Sequence, residues 1–277
     1  MKTFNTSLPL ATGASIPALG FGTWQIPDGA PAYDATLAAL RAGYRHIDSA
    51  RDYGNEASVG RAVRDSGLPR GEVFVTSKLP AAIKDHRKVQ ASFEETMRLF
   101  ALDYVDLYLI HAPWPWSEIG KDCTAQNKQV WTQMEAIHAS GRARAIGVSN
   151  FSVTDVQAIL DGCTVAPMVN QIRWFVGHTQ LDVVGFCKQH GIVVEAYSPL
   201  ATGRLLGDAR LVAVATRYGK SVAQVCIRYA LQHGLVALPK STHPARIVEN
   251  AEVDFVLGED DMTLLDALDR HQAEVGN

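Results

Sequence analysis

An aspartate and a tyrosine five residues apart, Asp48 and Tyr53, share this sequence with a lysine, Lys78, and a histidine, His111, each standing where a short apolar run ends. Their spacing is not that of metal ligands, and the chemistry that suits the four is proton donation from a phenol. A free tyrosine titrates near pH ~10, too high for easy proton exchange at neutrality. A lysine ammonium beside the ring favours phenolate, and an aspartate can hold that lysine charged and oriented. A histidine nearby can hydrogen-bond a carbonyl or relay a proton. Singly, each residue has a plainer role: a turn cap for Asp48, a solvated loop lysine for Lys78, a satisfied strand-end histidine for His111, half-buried packing for Tyr53. The four plain roles would all have to fall together on one rim.

The elements that must position these groups alternate along the chain. Short apolar runs at 45–48, 73–76, 105–110, 145–148, 168–170, 193–196 and 236–238 read as buried strands, and 18–21 makes an eighth. Helical patterns intervene at 33–42, 89–100, 130–139, 153–160 and 222–231, with Ser152 and Ser221 as N-caps and Gly141 and Gly162 as stops. Eight βα units in about 250 residues predict an α/β fold, a (β/α)₈ TIM barrel. Residues 4–16, with the turn pair Thr12-Gly13, predict a β-hairpin outside the barrel. A doubly wound sheet is disfavoured, because Gly20-Phe21-Gly22 lacks the third glycine of a dinucleotide-binding turn. No Ser/Gly-rich linker interrupts the chain, so residues 1–277 are expected to form a single domain. Chemistry in such barrels sits at the C-terminal ends of the strands. Those ends read Asp48, Lys78, His111, Ser149-Asn150, Gln171, Tyr197-Ser198 and Lys240-Ser241, polar at seven strands in succession.

Composition narrows the partners. With 47% hydrophobic and 20% charged residues and a formal net charge of −3, the chain has no general attraction for nucleic acid or acidic membranes. No stretch approaches the length of a membrane span, and Asn5, Thr6, Ser7 and Pro9 interrupt any leader-like apolar run. Four dispersed cysteines without a CxxC pair predict no metal site, no disulfide framework and a cytoplasmic protein.

Several segments then carry a resemblance. Residues 43–50 (GYRHIDSA) with Tyr53-Gly54-Asn55-Glu56, 19–24 (LGFGTW), 103–111 (DYVDLYLIH), 147–151 (GVSNF), 195–200 (EAYSPL), and 238–241 (LPKS) through Arg246 to Glu249-Asn250 follow one another in a fixed order. Together they resemble the aldo-keto reductase family, in particular its bacterial diketogluconate reductase branch, from about residue 16 to residue 255. The resemblance implies an NADPH-dependent oxidoreductase (NADPH/NADP+) that reduces aldehyde or ketone carbonyls to alcohols by direct hydride transfer. Asp48, Tyr53, Lys78 and His111 would be its catalytic tetrad, with Tyr53 as general acid. Thr23 would belong to the cofactor site; Ser149, Asn150 and Gln171 would hold the nicotinamide carboxamide and Tyr197 would stack under the ring. Ser198 and Leu200 would border the pyrophosphate; Lys240, Ser241, Thr242 and Arg246 would meet the 2′-phosphate, and Glu249 and Asn250 the adenine. A 2′-phosphate wants such donors, and Pro244 could open a helix toward it. Trp24 and Trp114 are the expected aromatic lining of the substrate pocket, with loop anchoring the alternative for Trp114 and Trp116. The expected partner is a small carbonyl compound, and the expected state a monomer.

Two departures from the family bear on substrate choice. The tetrad histidine is commonly followed by tryptophan, whereas Ala112 stands here; and Arg173-Trp174-Phe175-Val176 replaces a frequent Glu-Tyr-His-Pro. The sequence also stops soon after a helix expected at 262–269, where many relatives have a longer tail, so a more open site is expected. The physiological substrate therefore does not follow from the resemblance. Three rival readings stand beside it. One is a Schiff-base lyase acting through Lys78; another is a non-catalytic NADPH-binding subunit. The third, a metal-dependent barrel hydrolase, is disfavoured because no HxH pair accompanies His46 and Asp48.

Overall fold

Gly13 adopts φ +81°, a left-handed conformation that glycine reaches at no steric cost, and the chain reverses there. The reversal pairs β1 (Ser7–Pro9) with β2 (Ser15–Pro17) antiparallel, Leu8 opposite Ile16, as a two-stranded sheet of its own. This is the expected hairpin. The computed structural model describes residues 3–275, so the expected domain of 1–277 runs two residues past them at each end.

Eight further strands form one parallel sheet in chain order: β3 (Phe21–Gly22), β4 (His46–Asp48), β5 (Phe74–Leu79), β6 (Val105–Ile110), β7 (Ala143–Ser149), β8 (Val169–Arg173), β9 (Val193–Tyr197) and β10 (Val236–Leu238). Every residue of β6 is buried, as a strand covered on both faces requires. The sheet curls round on itself: Ala237 bridges Leu19, and Gly20 N–H donates to Ala237 O at 2.9 Å. Glycine at position 20 makes this seam possible, since a Cβ there would lie 2.5 Å from the Leu238 side chain and 2.7 Å from His46 Nδ1. The fold is a (β/α)₈ barrel.

Helices α1 (Ala30–Ala42), α2 (Glu56–Asp65), α3 (Val89–Phe100), α4 (Thr124–Ala139), α5 (Val153–Leu160), α6 (Leu181–Gln189), α7 (Ala209–Tyr218), α8 (Val222–Gln232), α9 (Pro244–Glu249) and α10 (Glu259–Val275) surround and follow the strands. Ser152 and Ser221 each close a reciprocal capping box, with Asp155 and Gln224. Helix α4 begins six residues before the apolar pattern at 130–139, because Thr124 to Gln129 present mostly polar side chains. Helices α2, α6 and α7 were not singled out by periodicity; α2 carries Gly60 and α6 Gly185 mid-helix, both helix-weakening residues that packing overrides. Among the described residues, no helix is long and apolar enough to cross a membrane.

Candidate active site

Parallel pairing puts Asp48 opposite Thr76, and Lys78 lies two residues further along β5 on the same face. Its ammonium is fully buried and reaches Asp48 Oδ1 at 2.7 Å, Asp48 Oδ2 at 2.9 Å, Ser49 O at 2.9 Å and the Tyr53 hydroxyl at 3.1 Å. Burial alone would strip the charge from Lys78; the Asp48 carboxylate and the Tyr53 oxygen outweigh it, so the lysine is held charged.

Tyr53 stands on a single helical turn, Arg51–Tyr53, which ends on Gly54 at φ +71°. Asn55 ties that turn down, donating to Thr23 O and Ile26 O at 2.9 Å each and accepting from Ser49 Oγ at 2.9 Å. Thr23 is itself buried and donates to Asp48 O at 3.0 Å, so it braces the strand end. The Tyr53 phenol is pushed up to about 12, chiefly by burial, with Lys78 pulling the other way. The pull of Lys78 toward phenolate is present, but in the resting site desolvation outweighs it.

His111 follows β6 and turns its Nδ1 to Asp52 Oδ2 at 3.1 Å. Burial lowers the histidine below its ordinary value more than Asp52 raises it, so the ring is neutral at neutral pH. Burial also opposes the charge of Asp52, but hydrogen bonds from His111 and from Ala81 N–H prevail and hold it below the usual carboxylate range. Asp52 was not picked out from the sequence; it adjoins Tyr53, but only the local turn reveals that it faces the histidine.

Beyond β6 the rim is a connected polar network. Asn150, at φ +61°, donates to His111 O and to Ser149 Oγ at 3.0 Å, and accepts from the Tyr197 hydroxyl at 2.7 Å. Ser149 Oγ donates to Gln171 O at 2.8 Å. The Gln171 amide donates to Asp48 Oδ1 at 2.8 Å and to Glu195 Oε2 at 2.9 Å, leaving its own oxygen for other use. Glu195, fully buried in β9, is pushed up to about 8 by burial and then by the charge of Asp48.

A cavity of about 1040 Å³ runs over these groups across the mouth of the barrel. Asp48, Tyr53, His111, Ser149, Asn150, Gln171, Tyr197 and Ser198 line it at the strand ends. Leu200, Lys240, Ser241, Arg246, Glu249 and Asn250 line its far part, and Trp24 its near part. Thr23, Lys78 and Thr242 are not among its walls; the first two stand behind Asp48. Nor is Trp114. Its neighbour Trp116 forms the wall instead, edge-on to His111 at 5.4 Å, with Trp114 packed behind it at 5.1 Å. Pocket lining by Trp114 is thus corrected to Trp116, because the chain turns at Trp116–Glu118 and presents the second indole. Arg173 also lines the cavity, where the sequence noted it only as a departure. No group of three His, Cys, Asp or Glu side chains among the described residues could hold a metal ion.

The model of the aldo/keto reductase family matches residues 18–270. The chain belongs to that family. It is 40% identical over 267 residues to glyoxal reductase from Bacillus subtilis strain 168, covering 96% of this chain and 94% of the relative. It is 37% identical over 290 residues to glycerol 2-dehydrogenase (NADP(+)) from Saccharomyces cerevisiae, covering 96% and 92%. The crystal structure of an aldo/keto reductase from Brucella melitensis superposes with a TM-score of 0.89 at 38% identity, over 95% of this chain and 99% of the other. Such enzymes are oxidoreductases that reduce carbonyls with nicotinamide cofactors.

Proposed function

We propose that this chain reduces aldehyde and ketone carbonyls to alcohols with NADPH, Tyr53 delivering the proton. The observation that carries the reading is the buried Lys78 ammonium, clamped by Asp48 and 3.1 Å from a phenol on the cavity wall. Tyr53 holds its proton firmly until a carbonyl oxygen beside it gains charge; the proton then passes to that oxygen. The phenolate left behind is stabilised by Lys78, whose charge Asp48 keeps in place.

The residues present fit the cofactor. Lys240 and Arg246 stand exposed on the cavity wall, cationic donors of the kind that suit a phosphate. Gln171, Asn150 and Ser149 offer amide and hydroxyl groups for the carboxamide, and Tyr197 a ring face for the nicotinamide. NADPH, when bound, supplies the hydride. The name of the yeast relative, which specifies NADP(+), supports the same choice. The reading keeps a single domain working as a monomer on small carbonyl compounds, and the cavity at the barrel mouth has room for such a substrate. The four free cysteines support a cytoplasmic setting. The lyase reading fares worse, since a Schiff-base lysine must be a free amine and Lys78 is held charged on Asp48.

The test is to follow oxidation of NADPH and NADH with an aromatic aldehyde and an α-keto aldehyde. Alcohol formed in step with NADPH consumed is expected. Absence of turnover across such carbonyls, or a borohydride-trapped adduct on Lys78, would overturn the reading.

A further inference from the structure

Asp52 is a charged group of the cavity that proton delivery leaves unused. Asp52 lines the cavity beside Tyr53, with its side chain 31% exposed against 7% for His111. One of its oxygens, Oδ2, accepts from both His111 Nδ1 and Ala81 N–H. Two consequences follow for whatever group neighbours the reacting carbonyl. A fixed negative charge faces it from the β4 side. And because Nδ1 of the neutral ring carries the proton toward Asp52, Nε2, which has no hydrogen bond among the described residues, presents a lone pair and not an N–H.

The cations that the chain places next to Asp52 and His111 are turned onto other partners. The charge of Lys78 is turned onto Asp48, Lys84 is turned onto Ala112 O and Asn127 Oδ1, and Arg51 lies 3.7 Å from Glu95. Arg173, Lys240 and Arg246 do line the cavity, but from β8 and from the chain beyond β10. Around the barrel β8 is the strand opposite β4, which leads into Asp52, and β10 is the strand opposite β6, which leads into His111.

We propose that Asp52 sets substrate class: through its charge and through its hold on His111, the site takes neutral carbonyl compounds and rejects those with a carboxylate close to the reacting carbon. The inference rests on the carbonyl-reduction reading. A carboxylate entering there meets like charge and an acceptor nitrogen, where a neutral substituent meets neither penalty and a hydroxyl gains an acceptor.

Meta-carboxybenzaldehyde and meta-carbamoylbenzaldehyde have nearly the same shape and differ by one charge. With NADPH as reductant, kcat/KM for the carboxylate should lie at least about tenfold below that for the amide, about 1.4 kcal/mol. In Asp52→Asn the asparagine oxygen can still accept from His111 and Ala81, so what is lost is the charge, and the ratio should close to within about threefold. Asp52→Glu keeps the charge and should keep the discrimination. Added salt should narrow the gap in the parent enzyme, since the carboxylate is partly exposed. Equal turnover of the two aldehydes by the parent, or a ratio unmoved in Asp52→Asn, would overturn the proposal while leaving carbonyl reduction standing. Failure to reduce even the amide would defeat carbonyl reduction itself, and this proposal with it.

Discussion

The Tyr53 phenol and the Lys78 ammonium meet at 3.1 Å, yet the phenol is raised to about 12. The reason lies in how the ammonium is shared: Asp48 takes two of its hydrogen bonds, so in the resting site its charge is largely spent. Its benefit to Tyr53 grows only as the proton leaves and a second negative charge appears. Such an interaction is stronger in the transition state than before it, which is what accelerates a step. Tyr53→Phe should therefore lower kcat by at least about a hundredfold, the low end for general acid catalysis. NADPH affinity, read by fluorescence titration, should move little. Lys78→Met should cause a comparable catalytic loss, and the double variant little more, because groups acting as a unit do not add. Stability separates the two. Removing Lys78 strands a buried Asp48 carboxylate, and breaking such a pair costs about 3–5 kcal/mol, whereas Tyr53→Phe removes one of four contacts of the ammonium. Urea midpoints that fell equally in the two single variants would contradict this division of roles.

Strands β6 and β10 were legible at their bounds because the apolar run is the whole strand, whereas β5 and β8 run three residues past the apolar stretches at 73–76 and 168–170, into Ser77-Lys78-Leu79 and Gln171-Ile172-Arg173. Helices α3 and α5 were equally plain, at the same bounds, since each keeps its stripe from first residue to last. The contributions of single turns were not legible. Whether Asp52 faces solvent or His111, and whether Trp114 or Trp116 meets the cavity, depends on turns at Arg51–Tyr53 and Trp116–Glu118 too short to have a period. Nor could the sequence show that Glu195, inside β9, would lie 3.6 Å from His46 and share Gln171 with Asp48. That placement has a pH signature. An unfolded glutamate titrates near ~4.3, whereas folded Glu195 is pushed up to about 8. Between those values the folded chain holds a proton that the unfolded chain has released, so the contribution of Glu195 to stability falls as pH rises through the window and levels off above it. His46, pushed down to about 4 by burial, works in the opposite sense over the lower part of that range. Glu195→Gln abolishes the first effect alone. Its unfolding free energy relative to the parent should rise steadily from about pH 5 to about pH 8, and a difference flat in pH would show that Glu195 is ionised in the fold.

Across the whole barrel the cavity divides its labour. The groups suited to proton transfer stand on or just past β4, β5 and β6, while the amides, hydroxyls and cations of the cavity lie on or just past β7 to β10 and on α9. A cavity of about 1040 Å³ is longer than a small carbonyl compound needs, and the cationic far end is where an extended anionic cofactor would be recognised. Lys240 lies just past β10, and Arg246 sits in the helix that Pro244 opens, at its first turn as the fixed φ of proline favours. Both are exposed, so neither contributes much to the fold, and an exposed helix arginine without a ligand would be replaceable within about 0.5 kcal/mol. If Arg246 instead meets the 2′-phosphate, a charge-assisted hydrogen bond of about 1.5–3 kcal/mol is at stake, or about ten- to a hundredfold in affinity. NADH has no such phosphate to lose. Arg246→Ala should thus weaken NADPH by at least about tenfold, leave NADH within about twofold, and steepen neither unfolding transition. Fluorescence titration with both cofactors decides the matter: an equal loss for the two would place Arg246 on a part of the cofactor they share, and no loss for either would return it to the solvated helix face.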